Sequence, residues 1–355
     1  MVVWFDAGVD TGRREPVPAP AAKLIARARA GDERAFDELV APLRGRLLAH
    51  CYRMLGSLHD AEDALQDTLL RAWRGLGGFD AARSLRPWLY RIATNVCLDQ
   101  LRRRPRRVMP PDAAPPASPA AGPGVPADDV PWLEPFPDGI AGLGDGRPAP
   151  DARYEEREAV ELAFVVALQR LPPNQRAVLL LRDVLGFSAR ETAAALDTSE
   201  ASANSALQRA RATVAERLPE RSQQATLRAI GDDELRRRVD AYVDAWERRD
   251  IDAIVALLAA DATFLMPPFP NWFAGREAVA ALIADAFATP PLRCAEARAN
   301  GQPALGWYVW SPEAGRFEAT ALEVYAFDAT HLTQVAVFAS PELFPAFGLP
   351  AAQPS

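Results

Sequence analysis

Cysteine and histidine are both scarce in this chain, three of each in 355 residues. Cys51, Cys97 and Cys294 lie far apart with no CxxC spacing, and His50, His59 and His331 do not supplement them at metal-ligand intervals. That pattern excludes a disulfide-stapled scaffold and a structural zinc site, and it fits a reducing, cytoplasmic compartment with no metal or cofactor. Long apolar runs are missing too. No stretch of about 18 apolar residues occurs, so no membrane span is expected. Met1 to Pro20 starts apolar and then runs into Asp, Arg and Pro, unlike a signal peptide. Lys23 is the only lysine among 40 basic residues, a usage that fits codon bias and carries no functional weight.

The formal net charge of -7 and pI of about 5.2 look wrong for a nucleic-acid binder. An average over several domains conceals its parts. Counted by segment, residues 21–107 come to about +7, 108–152 to about -6, 153–221 to about zero and 232–345 to about -8. The chain reads as a basic N-terminal part carrying acidic cargo.

Residues 21–104 show helical periodicity throughout, as in Ala35-Phe36-Leu39-Val40-Leu43-Leu47-Leu48 and Ala61-Leu65-Leu69-Ala72-Trp73, with breaks at Gly31, Gly56-Ser57 and Gly75 to Ser84. This predicts an all-α domain. Residues 105–152 hold about 13 prolines among Ala, Gly and Asp, which predicts an acidic tether without helix or sheet ladders. One island in it, Pro131 to Pro137 with Trp132 and Phe136, is too aromatic for a plain spacer and is expected to dock on a folded domain. Helical periodicity resumes over 153–221. There Gly186-Phe187-Ser188 leads into Ser188 to Leu196, a turn at Asp197-Thr198, and Ser199 to Val214, the punctuation of a helix-turn-helix. Ser188 and Glu191 have capping-box spacing. Over 232–345 amphipathic helices around Tyr242 and Trp246 give way to alternating stretches at 263–266, 305–310, 319–327 and 332–338, an α+β pattern.

His59 to Trp73 carries carboxylates on one helix face and Leu65, Leu69 and Trp73 on the other, which alone describes any solvated amphipathic helix. A second motif follows at Arg86 to Arg104, where AEDALQDTLLRAW is succeeded by PWLYRIATNVCLDQLRRR. Together they resemble region 2 of the sigma-70 family of RNA polymerase sigma factors, in the compact extracytoplasmic-function group. The helix-turn-helix, preceded by RLPPNQRAV at 170–178, resembles region 4. The resemblance implies a multidomain protein with two all-α sigma domains, a region 2 helical bundle and a region 4 helix-turn-helix. Its implied activity is to direct core RNA polymerase to promoter DNA, with contacts to the clamp helices of the largest subunit and to the flap region.

On that resemblance Asp60, Glu62, Asp63, Gln66 and Asp67 face the polymerase. Phe79, Arg83, Trp88, Arg91, Asn95, Arg102 and Arg103 serve the minus-ten element, with the Gly78–Ser84 loop capturing an extruded base. Cations for phosphates and rings for unstacked bases suit that task, and Tyr90 is expected to expose a face beside Trp88; a core role for both rings stays open. In the second helix of the helix-turn-helix, Asn204, Ser205, Gln208 and Arg209 would face bases of the minus-thirty-five element, with Ser202 and Arg211 near phosphates. This helix carries less arginine than the family pattern, which leaves its target sequence open.

Tyr242 to Trp246, Asp261 to Pro268 and Trp272 to Val279 resemble the SnoaL-like, nuclear-transport-factor-2 type cone. Trp246, Phe264, Met266, Trp272, Trp307 and Tyr325 are the candidate pocket, and a packed core explains the same aromatics. Asp244, Asp261, Glu323 and His331 are the available acid–base groups, each read as a surface or capping residue, so no catalytic residue is assigned and the chain is read as a non-enzyme. The resemblance implies regulation in cis by this domain. Two other classes remain: an autonomous DNA-binding regulator, and a DNA-binding part fused to a small-molecule-binding or isomerase/cyclase-like domain. A separate anti-sigma partner or a small ligand is left open. The segment Pro341 to Pro350 reads either as a docking tail or as a frayed terminus.

Overall fold

A computed structural model describes residues 19–81, 84–140, 160–286 and 291–354. The chain divides into two compact units, one formed by 1–107 with 144–218 and the other by 108–143 with 219–355. Among the described residues no helix is long and apolar enough to cross a membrane.

In the first unit, helices α1 (Ala19–Arg29), α2 (Glu33–Leu55), α3 (Leu58–Gly75) and α4 (Leu85–Leu101) pack around a core that includes Ile25, Phe36, Leu47, Tyr52, Ala61, Leu89 and Val96. Each break in the sequence pattern has a local cause. Asp32 caps α2 by accepting from the Ala35 amide at 3.0 Å, and Ser57 caps α3 by accepting from the Asp60 amide at 3.1 Å. Gly56 ends α2 with φ of 72°, and a Cβ there would lie 2.9 Å from the Gln169 side chain.

After the segment outside the described residues come α5 (Leu162–Gln169), α6 (Pro173–Leu179), a π-helical turn Leu180–Val184, α7 (Ala189–Ala195) and α8 (Glu200–Ala215). The Ser188 and Glu191 capping box forms in both directions, at 2.8 and 3.2 Å. Asp197 takes a positive φ of 51° in the turn, and Ser199 caps α8. Arg176, 1% exposed, joins this helical group to α2. Its guanidinium donates to the carbonyls of Met54, Gln169 and Leu171 and, at 2.7 Å, to the Gln169 side chain. The Gln169 amide in turn donates to Arg53 O at 3.2 Å.

The second unit is an α+β cone. Helices α9 (Gln223–Ile230), α10 (Asp232–Glu247), α11 (Ile251–Leu257) and α12 (Arg276–Ala286) accompany strands β1 (Leu258–Leu265), β2 (Trp272–Ala274), β3 (Leu292–Ala299), β4 (Gln302–Ser311), β5 (Arg316–Phe327), β6 (Leu332–Phe338) and β7 (Ala352–Gln353). The sheet order is β2-β1-β6-β5-β4-β3, with β7 on β5, and β1 with β6 is a parallel pair among antiparallel ones. Tyr242, Trp246, Phe264, Trp307 and Tyr325 lie in its core.

The proline-rich stretch departs from a plain tether. Residues 108–140 belong to the cone unit. Val108 bridges to Trp132, Pro137 bridges to Ala299, and Phe136 exchanges bonds with Asn300, its amide donating to Asn300 Oδ1 at 2.9 Å and its carbonyl accepting from Asn300 N at 2.8 Å. Trp132, Leu133 and Phe136 are buried, and Asp138 accepts from Gly301 N at 2.7 Å. Prolines lack amide donors but keep their carbonyls, so such a segment is held by acceptor contacts and aromatic burial, and its unfolded form has less entropy to lose. The 219–231 stretch, left between expected domains, also lies in this unit: the Gln223 side chain donates to Phe327 O and accepts from Phe327 N at the β5–β6 irregularity. The terminal segment is packed as well, with Leu343 and Phe344 buried and the Tyr308 hydroxyl donating to Pro350 O at 3.0 Å.

Candidate nucleic-acid interface

Helix α3 separates its faces as its apolar spacing dictates. Ala61, Ala64, Leu65 and Thr68 are buried, while Glu62, Asp63, Gln66 and Asp67 are exposed on the opposite side. Asp60 is not part of that exposed row. It sits buried at the start of the helix, paired with Arg104 and with Arg107 at 2.5 Å. The cause is local: a carboxylate in the first turn suits the helix dipole, and two guanidiniums from the basic run after α4 satisfy it.

On α4, Trp88, Arg91 and Asn95 follow at intervals of three and four and so share one face. Arg91 is exposed; Trp88 and Asn95 are half-buried. Phe79 is buried rather than presented, its ring 4.8 Å from Trp88, and its carbonyl accepts from Arg29. Tyr90 lies in the core, edge-on to His50 and Phe187, which corrects the expectation of an exposed ring beside Trp88. The α-helical period explains it: two residues on from Trp88, a side chain turns to the other face. Arg102 pairs with Asp99 at 2.9 Å, Arg103 is exposed, and Arg83 lies outside the described residues.

Helix α8 buries Ala203, Leu207, Ala210 and Val214 and leaves Ser202, Asn204, Ser205, Gln208 and Arg209 exposed. Five polar side chains of the expected set thus share an open surface on the second helix of the helix-turn-helix. Arg211 is exposed but engaged: its guanidinium grips Asp183 in a two-pronged bond of 2.7 and 2.8 Å, which holds its pKa above the ordinary arginine range.

In the cone, the six expected pocket residues do not line one cavity. Trp246 and Trp307 pack on each other with ring centres 5.7 Å apart, and Trp272 turns to the proline-rich segment, donating to Ala114 O at 2.8 Å. One pocket of this unit is lined by Arg238, Val239, Tyr242, Leu257, Tyr325, Phe327, Thr330 and Leu332, and of the six expected residues it takes only Tyr325. Of the acid–base candidates, Asp244 and Asp261 are exposed and His331 half-buried, whereas Glu323 is 6% exposed. Tyr325 donates to Glu323 at 2.6 Å and Tyr242 reaches it at 3.5 Å. Burial pushes the Glu323 carboxyl up to about 7, against the phenol hydrogen bonds that favour its charge.

Residues 39–107 match the Sigma-70 region 2 family, 156–214 the Sigma-70, region 4 family, and 239–335 the SnoaL-like domain. Over 326 residues, 91% of this chain and 85% of the relative, the sequence is 43% identical to the ECF RNA polymerase sigma factor SigG of Mycobacterium tuberculosis (strain ATCC 25618 / H37Rv). The chain belongs to the ECF RNA polymerase sigma factors. The ECF sigma factor SigM of the same strain is 35% identical over 194 residues, 55% of this chain and 82% of SigM. The crystal structure of SigJ from M. tuberculosis shares the fold, with a TM-score of 0.53 at 23% identity, covering 87% of this chain and 98% of that one.

The activity of this sigma factor is promoter-specific transcription initiation with RNA polymerase. The exposed rows of α3 and α8 fall inside the matched sigma regions, region 2 and region 4 respectively, and the partly exposed face of α4 with Trp88, Arg91 and Asn95 falls inside region 2. Three residues that tie these regions together were not singled out by sequence reasoning. Besides Arg176 and Gln169, Arg86 donates to Leu185 O at 2.9 Å and lies 5.4 Å from the Phe187 ring centre. A buried arginine within the RLPPNQRAV motif was the available signal, but no spacing rule distinguishes it from an exposed one.

Proposed function

We propose that this sigma factor holds core polymerase through Glu62, Asp63, Gln66 and Asp67, addresses the minus-ten element with Trp88, Arg91, Asn95 and Arg103, and addresses the minus-thirty-five element with Ser202, Asn204, Ser205, Gln208 and Arg209. The clamp helices of the largest subunit are the partner assigned to α3. The observation that carries the reading is α8, whose exposed side carries Asn204, Ser205, Gln208 and Arg209 and no apolar residue larger than alanine while its opposite side is committed to the core. Such a helix can enter a major groove without loss of packing, and each good base contact adds about 1 to 3 kcal/mol of discrimination. The protein works in the cytoplasm as a non-enzymatic factor. Glu323 is spent on two tyrosine hydroxyls and does not line the pocket, which argues against acid–base chemistry there.

The cone unit regulates in cis. Its segment 108–140 is part of the connection between regions 2 and 4, so the acidic unit is inserted in the chain between the two promoter readers. Elements named for positions 10 and 35 lie roughly 85 Å apart along B-DNA at 3.4 Å per step, whereas Arg176 and Gln169 hold the region 4 helices against α2. The free form must therefore open to read both. Run-off transcription with core polymerase tests the assignment. Asn204→Ala should lower output from promoters that need the upstream element while sparing core binding, and Asp63→Arg should abolish core binding. Core binding intact in Asp63→Arg, or promoter use unchanged in Asn204→Ala, refutes the respective surface.

A further inference from the structure

Helix α1 ends on Arg29, whose guanidinium reaches a turn 47 and 50 positions later in the chain. Its Nε donates to Leu76 O at 3.1 Å and its Nη2 to Phe79 O. Those two carbonyls bracket the short turn Leu76–Gly78 that follows α3, and Leu76 O also accepts from Phe79 N at 3.2 Å. Arg27, the other cation in the last turn of α1, is spent on Asp32 at 2.7 Å. Arg29 instead ties α1 to the turn.

Within the turn there is little else to hold it. A Cβ at Gly77 or Gly78 would meet nothing within 4 Å, so neither position offers a site for side-chain packing. Glycine also leaves the backbone with the most freedom to lose. The anchors are the buried Leu76 and Phe79 side chains and the planar fork of Arg29, whose rigid geometry sets the placement of the two carbonyls. Phe79 in turn packs with its ring centre 4.8 Å from that of Trp88. Gly75, the residue before the turn, lies against the same indole, where a Cβ would stand 3.4 Å from Cζ2. Half-buried Trp88 therefore sits between residues at the two ends of the turn that Arg29 grips.

We propose that Arg29 is a positioning residue for promoter opening: by pinning the Leu76 and Phe79 carbonyls it keeps Phe79 and Gly75 against Trp88 and fixes the indole that receives an unstacked base of the minus-ten element. This rests on the assignment of Trp88 to that element. A stacking face helps most when it is already in place as the base leaves the duplex, because ordering it afterwards draws on the free energy that offsets unstacking. Arg29 need not touch DNA to act in this way. A phosphate contact would need only its charge, which lysine shares; gripping two carbonyls needs the guanidinium fork, which lysine lacks.

The test uses holoenzyme assembled from core polymerase and the full-length protein. Its probe is a promoter selected by run-off transcription with the unmodified protein and labelled with 2-aminopurine in the minus-ten element. Arg29→Ala and Arg29→Lys should each lower the equilibrium constant for opening about tenfold, the worth of a hydrogen bond from a charged donor, with core affinity unchanged. Trp88→Ala should show at least as large a defect. Arg29→Ala combined with Trp88→Ala should be no worse than Trp88→Ala alone, because the arginine acts through the indole. On the same promoter with a mismatched, already open minus-ten element the Arg29 defects should shrink, since unstacking is no longer required. Normal opening in Arg29→Ala beside a defective Trp88→Ala would overturn the proposal. So would opening retained in Arg29→Lys, additive defects in the double variant, or core binding lost in Arg29→Ala, which point respectively to a phosphate contact, an independent role and a role in the fold alone. Normal opening in Trp88→Ala would instead remove the minus-ten assignment of Trp88, and the positioning role with it.

Discussion

Replacing Glu323 with glutamine tests whether the cone domain keeps a protonated carboxyl at its centre. The group has an ordinary value of 4.5 and is raised to about 7 by burial. Between those two values the folded protein holds a proton that the unfolded chain has released. The associated stability is full below 4.5 and is lost as pH rises through 7. At 1.36 kcal/mol per unit the full effect is about 3 kcal/mol, most of it falling between pH 5 and 8. Urea unfolding of the full-length protein, followed by tryptophan fluorescence, reports it because Trp246 and Trp307 lie in the same core cluster as Tyr242 and Tyr325, the tyrosines that bond Glu323. Two units imply two transitions, which should be fitted separately. The midpoint of the cone transition should fall steadily from pH 5 to pH 8 in the unmodified protein. Glu323→Gln has nearly the same shape, accepts from Tyr325, and cannot ionise, so its midpoint should stay nearly level over that interval. A level profile in the unmodified protein, or an unchanged slope in the variant, would refute the reasoning.

Phe136, 0% exposed, anchors the proline-rich segment; Phe136→Ala should cost about 3 to 5 kcal/mol of its docking, seen as new proteolytic cleavage within 108–140 under limited digestion, and an unchanged digest would show that the segment is held elsewhere. Arg176→Ala leaves the carbonyls of Met54, Gln169 and Leu171 without their donor, a loss of about 3 kcal/mol or more, and small-angle scattering should show a larger radius of gyration; an unchanged radius would mean that other contacts keep regions 2 and 4 together. Arg211 and Arg209 should separate cleanly: Arg209→Ala should lower transcription from promoters that need the minus-thirty-five element by about tenfold, whereas Arg211→Ala, which strips the guanidinium from an Asp183 side chain only 8% exposed, should cost about 1 to 3 kcal/mol of stability and leave promoter choice intact. Equal promoter defects in the two variants would place Arg211 at the DNA despite that pair.

Particular elements show where sequence reasoning reaches and where it stops. The helix-turn-helix was legible because its signals are local: Ser188 with Glu191, the left-handed Asp197, and an apolar spacing that buries Ala203, Leu207, Ala210 and Val214. The exposed α3 row was legible for the same reason, since a helix with apolar residues on one side must present the others. Asp60 and Arg211 carry the same residue types as their exposed neighbours, yet their partners, Arg104 with Arg107 and Asp183, stand 44, 47 and 28 positions away. Spacing along a helix says nothing about such partners.

The cone shows the same division. Its aromatic content and alternating strands predicted an α+β domain with a packed interior, but whether an aromatic side chain lines a cavity or fills one depends on strand register and on what covers the sheet. Trp272 pairs through β2 to β1 and bonds a segment more than 150 residues earlier, so it never meets Trp246 in a pocket. The sequence by itself determined the order of the domains, the helical or mixed character of each, the segregation of charge and the two polar rows, because all of these follow from short-range periodicity and composition. Tertiary structure alone decided that proline-rich residues 108–140 are part of the acidic unit, that Arg176 links the two sigma regions, and that Glu323 is buried against two tyrosine hydroxyls. Those outcomes depend on desolvation and on partners distant in the chain, and neither is encoded in any local pattern.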